Sequence, residues 1–190
     1  MNLKTKVFIQ NITNLSDARY CAGMMVDYIG FDTKVLSTNT FKEIKNWLSG
    51  VETVIDAEGP LENIQAKLAS FPAEAVRISS KDFNVNLKNL NLPIFLQVDL
   101  EKDNLPDLFA LAKDYVQYFV VSGENLPDSL DTWAAQYPIL IDHDLLSKEE
   151  FSEIGNSSYA GLVLTGGEEE RPGYRDFGDL MEILEELEEE

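Results

Sequence analysis

Eight short apolar segments recur along this chain, beginning near Lys6, Tyr28, Thr53, Ala75, Pro93, Tyr118, Pro138 and Gly161, at intervals of roughly 18 to 25 residues. That interval is the length of one strand plus one helix. Patterns of helical periodicity fill the gaps over 16–25, 40–48, 61–70, 105–115, 126–136, 147–154 and 177–187. The connection over 81–90 leaves room for a short helix or none. Eight strands alternating with helices predict an α/β chain closed as a (β/α)8 TIM barrel, with an open doubly wound sheet as the alternative. The 190 residues fall slightly below the usual span of about 200 and up for that barrel, so the loops must be short. No Pro- or Gly-rich linker divides the chain, and a single domain over 1–190 is expected.

The opening unit, KVFIQNITNLSDARYCAGMMVDYIGF over 6–31, shows the pattern most fully. An apolar run is followed by Asn14 and Ser16, which offer N-cap chemistry. Ala18, Cys21, Ala22 and Met25 then recur on one helical face, Asp27 turns the chain, and 28–31 reads as a buried strand. This is a βαβ unit with a parallel pair. Cys21, the one cysteine, falls on the apolar face as a core residue, and a single cysteine excludes an intrachain disulfide framework. With no apolar run near ~20 residues and no signal-peptide pattern, a cytoplasmic address and no membrane partner are expected. The net charge of −19 repels phosphate backbones and argues against nucleic-acid binding. Its densest part, eleven acids against two bases over 168–190, reads as a solvated outer helix face and tail.

Four segments run into an aspartate: Asp32, Asp56, Asp99 and Asp142. In a parallel barrel such ends surround the mouth where sites are built. The set reads either as caps for the loops that follow or as a carboxylate-lined mouth for a cation or an amine, with Asp142 and Asp144 flanking His143. His143, the sole histidine, has no partner at metal-ligand spacing, so no metal site is expected and a structural or solvated role suits it. Arg77 inside the fourth segment needs a carboxylate across the barrel, Asp56 or Asp99.

The letters Ile9, Ile12, Thr13, Asn14, Asp17, Ala18 and Asp27 to Phe31, with Gly161, Gly167, Glu169, Pro172, Gly173 and Asp176 at the far end, resemble the phosphoribosylanthranilate isomerase family. That resemblance implies a TIM barrel of tryptophan-biosynthesis ancestry and an Amadori rearrangement needing one base and one acid. The family's base, a cysteine, and the glycine after it fall on Gln10 and Asn11; its acid, an aspartate, falls on Ser122. A carboxamide has no titratable proton near neutrality, and an unassisted serine hydroxyl is a poor acid. Each lost acid–base term costs ~10²–10⁴ in rate. The Gly-Gly of the family's seventh loop is His143-Asp144 here, whereas Thr165-Gly166-Gly167 keeps the small residues of the eighth and is the expected phosphate site. The family's arginine beyond strand two has only Lys34 as a weak counterpart, and its strand-four glutamine and histidine are Arg77 and Ser79.

The resulting expectation is a family barrel without isomerase activity, a pseudoenzyme that binds a small molecule or a protein partner. Two alternatives stay open: an active isomerase with relocated acid and base, or a different enzyme using the aspartate-rich mouth. The expected ligand is small and anionic or phosphorylated, no cofactor is called for, and the chain would be a monomer or a homodimer.

Overall fold

The structure, a computed structural model, describes residues 2–166, 169–171, 174–175 and 178–188. Eight parallel strands close into one barrel in chain order: β1 Lys6–Ile12, β2 Tyr28–Phe31, β3 Glu52–Ala57, β4 Ala75–Ser79, β5 Ile94–Asp99, β6 Tyr118–Ser122, β7 Ile139–Asp142 and β8 Gly161–Thr165. Pairing of Lys6 to Gln10 with Gly161 to Thr165 seals β1 to β8. The helices α1 Leu15–Gly23, α2 Thr38–Trp47, α3 Leu61–Ser70, α4 Leu105–Ala112, α5 Leu130–Ala134, α6 Lys148–Ser152 and α7 Gly178–Glu186 follow the strands, save after β4. There, as the sequence predicts, the α-helix is missing, replaced by 3-10 turns at Ser80–Asp82 and Val85–Leu90.

Local chemistry sets these boundaries. Asn14 caps α1: its Oδ1 accepts from Asp17 N at 2.9 Å and its Nδ2 donates to the Asp17 carboxylate at 2.8 Å. Asn14 rather than Ser16 is therefore the cap. Met25 does not join the buried face of α1, because the helix ends at Gly23 and the chain reverses through a left-handed Met25 (φ 59°) that is 56% exposed. Buried Cys21 has its thiol pushed up to about 12, chiefly by burial, and is inert core. The α5 helix covers only part of 126–136, and α4 stops three residues short of 115. Ser147 and Glu150 form a reciprocal capping box on α6.

The apolar residues form two cores. The larger lies between strands and helices and includes Ile29, Phe41, Ile55, Phe109 and Phe119. The smaller fills the barrel itself, with Phe8, Tyr28, Val54, Phe95, Tyr118 and Leu140 among its members. Phe95 is its centre, meeting Phe8, Tyr28 and Tyr118 edge-on with centroids at 5.4, 5.0 and 5.1 Å. A Cβ on Gly30 would lie 2.8 Å from the Phe8 ring, so only glycine lets that ring seat against β2. This aromatic plug is the solid floor on which the mouth rests. At the opposite end of the barrel Lys4 N donates to Leu187 O at 2.8 Å, which ties the N-terminal segment to the end of α7. Glu182, Glu185 and Glu186 of α7 are exposed while Leu180 and Leu184 are buried, so these acids do form a solvated outer face. Among the described residues no helix is long and apolar enough to cross a membrane.

Candidate functional site

Strand alternation decides what reaches the mouth. One step beyond the plug, the inward-facing positions carry Gln10 on β1, Asp56 on β3, Arg77 on β4, Gln97 on β5, Ser122 on β6 and Asp142 on β7. These polar groups form the bottom of an open cavity of about 650 Å³ at the C-terminal ends of the strands.

The register sets Asp56 beside Arg77. Arg77 Nε and Nη2 donate to the two Asp56 oxygens, both at 2.7 Å, a bidentate pair. The third arm of the guanidinium, Nη1, donates to Gln10 Oε1. The Gln10 amide nitrogen in turn donates to Thr165 Oγ1 at 3.1 Å. Asp56, Arg77, Gln10 and Thr165 thus form one chain of hydrogen bonds from β3 to β8, with the guanidinium carbon 5.7 Å from the Phe8 ring centroid. Of the two acids weighed from the sequence, Asp56 is the partner of Arg77. A second contact, Gln97 Nε2 to Ser122 Oγ at 2.8 Å, holds the serine. Asn11, where the resemblance places a glycine, sits at φ 64°, a conformation asparagine tolerates better than most residues.

The remaining aspartates divide. Asp32 lines the cavity and accepts from Lys34 N at 2.8 Å. Asp99 accepts from Glu101 N at 3.1 Å, pairs with Lys102, and does not line the cavity. Asp142 accepts from Asp144 N at 3.2 Å and lines the cavity; burial raises its carboxyl pKa above the ordinary value. His143 is not a lining residue: its ring packs edge-on against Phe151 at 5.0 Å. Among the described residues no three His, Cys, Asp or Glu side chains gather as a metal site.

Of the expected phosphate loop, Thr165 is engaged by Gln10, and the Gly166 N–H donates to Gln10 O at 2.9 Å. A Cβ on Gly166 would come within 2.8 Å of Ile12, so this glycine serves packing, and neither residue lines the cavity. Gly167 lies outside the described residues. Sequence reasoning missed Asn63 and Lys67 on α3 and Lys81 after β4, all of which line the cavity. The available signal was the i, i+4 spacing of Asn63 and Lys67, which puts both on one helix face.

No family model and no curated protein matches the chain. Among solved structures it is similar to the N-(5'-phosphoribosyl)anthranilate isomerase of Pyrococcus furiosus, at 13% identity over 96% of this chain and 98% of that chain, with a TM-score of 0.71. The generated monomers of the dimeric phosphoribosylanthranilate isomerase from Thermotoga maritima give 17% identity over the same shares and a TM-score of 0.75. A phosphoribosylanthranilate isomerase in complex with reduced 1-(o-carboxyphenylamino)-1-deoxyribulose 5-phosphate gives 18%, 96% and 98%, and 0.73. At these identities the likeness shows the fold: the chain has the barrel architecture of these isomerases over nearly its whole length.

Proposed function

We propose that this chain is a diverged phosphoribosylanthranilate-isomerase-like barrel that keeps the mouth as a small-molecule site and has given up the isomerisation. The observation that carries this reading is the state of Gln10. The side chain at the family's base position holds Arg77 with its carbonyl and Thr165 with its amide. It has no proton to exchange near neutrality, and both ends are occupied. Ser122, at the acid position, is bonded by the neutral Gln97 amide and, among the described residues, has no titratable side chain as a hydrogen-bond partner. The ligand expected is small and anionic or phosphorylated, and the protein acts in the cytoplasm as a monomer or a homodimer.

Fluorescence assays of phosphoribosylanthranilate consumption, together with complementation of a tryptophan auxotroph, test the reading. No turnover and no growth are expected; a kcat within a factor of ~10³ of the usual 1–10³ s⁻¹ would sink it. Installing cysteine at 10 and aspartate at 122 is expected to leave activity far below that range. The substitution frees Arg77 Nη1 beside the new thiol, and the family's strand-two arginine and seventh-loop glycines are still missing. The second reading, an enzyme with a relocated acid, is favoured by one feature: Asp142 faces the cavity with its pKa raised by burial. If turnover is found, Asp142→Asn abolishing it would select that alternative.

A further inference from the structure

Charge is distributed unevenly around the mouth. Among the described residues, the four cations that line the cavity come from one side, Lys34 after β2, Lys67 on α3, Arg77 on β4 and Lys81 after β4, together with the acids Asp32, Asp56 and Glu58. The facing wall, from β6 to β8, supplies Val120, Val121, Ser122 and Val163, with Asp142 as its one charged lining group among the described residues. Two of the cations have partners: Arg77 in Asp56 and Lys34 in Glu58, at 3.4 Å. Lys67 and Lys81 have no carboxylate at ion-pair distance among the described residues. The acids on that side are already engaged, Asp56 by Arg77, Glu58 by the Lys34 ammonium and Asp32 by the Lys34 N–H, which leaves Lys67 and Lys81 as lining cations with no acid of their own.

The surroundings favour an anion at these two lysines. Lys67 is half-buried, with Nζ 5.6 Å from the Phe71 ring centroid, so packing orders part of its stem. Asn63, one turn earlier on α3, faces the same cavity and adds an amide donor. Lys81 enters from the neighbouring unit, where a 3-10 turn replaces the helix after β4. Across the barrel, the described part of the corner after β7 and β8 offers an anion little. The Gly166 N–H is spent on Gln10 O, and the β7 end carries Asp142 and Asp144.

We propose that the mouth binds the oxyanion of a small phosphate ester at Lys67, Lys81 and Asn63, with the ligand's hydroxyl-bearing end reaching over Arg77 and Gln10 toward Ser122 and Asp142. The ligand then lies reversed across the barrel relative to one anchored after β7 and β8. This rests on the reading of the mouth as a small-molecule site.

The test is a titration of the ¹⁵N-labelled full chain with glycerol 3-phosphate, followed by amide shifts, with glycerol as the neutral arm and inorganic phosphate as the bare-anion arm. Wild type is compared with Lys67→Gln/Lys81→Ala and with an exposed-lysine control, Lys42→Ala/Lys113→Ala. Neither mouth lysine is in an ion pair, so the double variant loses no native ion pair, and its own spectrum reports folding. Expected are shifts at Asn63, Lys67 and Lys81 with both phosphate arms, no saturable response to glycerol, and affinity weakened at least about tenfold in the double variant alone. Shifts centred on Thr165 and Gly166, or affinity unchanged in the double variant, would overturn the placement. If Gln10 and Arg77 respond but the lysine substitutions have no effect, the placement falls and the small-molecule reading stands. If no amide around the cavity responds to any arm, the phosphate-ester proposal falls; the isomerase assay and the auxotroph then judge the broader reading separately.

Discussion

A guanidinium inside a barrel has to be neutralised where it stands. The Arg77 side chain is 13% exposed and spends two arms on Asp56 and one on Gln10. Breaking a fully buried pair from one side costs ~3–5 kcal/mol, because the surviving charge is left desolvated. Asp56 keeps 33% exposure, so water reaches the pair and the cost is smaller. Asp56→Ala is expected to destabilise the fold by about 2 kcal/mol in urea unfolding, with Asp56→Ala/Arg77→Met recovering at least half of that loss. A double variant less stable than the single would show that Arg77 is held by something other than the charge pair. The Asp56–Arg77 pair was legible in the sequence as one of two alternatives, Asp99 being the other, because an arginine inside a barrel strand demands an acid. The link from Arg77 to Gln10 was not. The two are 67 positions apart and meet only because the barrel closes with Phe8 and Gly30 making room between them.

At the scale of elements, all eight strands begin within a residue of where the apolar runs predict them. Strands buried on both faces read as continuous apolar stretches, a signal that does not depend on context. Helix ends were less legible, because α5 and the end of α1 are fixed by how the chain must turn into the next strand. The mouth-facing residues of α3 escaped notice for the same reason: periodicity shows a helix's buried face but not which end of it overlooks the site. The lower side of the barrel makes its own prediction. Glu74, just before β4, accepts from Thr53 N at 2.9 Å and Thr53 Oγ1 at 2.5 Å, and pairs with Lys45 of α2 at 2.5 Å. Burial opposes its ionisation, but the bonds from Lys45 and Thr53 outweigh it and hold the carboxyl below its ordinary 4.5. The unfolded chain therefore binds the proton more readily, and the stabilisation present above pH 4.5 is lost as pH falls through the folded value. Asp142 works in the opposite sense. Its raised pKa means that stability falls as pH rises from the ordinary 3.8 toward the folded value. Denaturation midpoints measured across the acid range should lose slope in Glu74→Gln and gain it in Asp142→Asn. A Glu74→Gln profile as steep as wild type would remove Glu74 from the account.

For the whole molecule, the relevant contrast is between two unpaired lysines at the mouth, Lys67 and Lys81, and a chain of net charge −19. The two act at different ranges. The net charge sets the field an approaching anion meets beyond the surface, and that field is screened over a Debye length of about 30 Å at 0.01 M salt and ~8 Å at 0.15 M. Lys67 and Lys81 act at contact, where intervening water and ions screen less. A phosphate ester is therefore repelled on approach and held on arrival, and salt weakens both effects. Association should speed up between 0.01 and 0.15 M salt as the long-range repulsion is screened, and dissociation should speed up as the contact attraction weakens. Steered binding shows the reverse in its association limb, with rates falling as salt rises. Relaxation measurements with glycerol 3-phosphate at several ionic strengths separate the two. An association rate that falls with salt would mean the unpaired Lys67 and Lys81 dominate the field at the mouth despite the surplus of 34 acids over 15 bases. A rate that rises would place the surplus charge in control of access, with the lysines governing residence time alone.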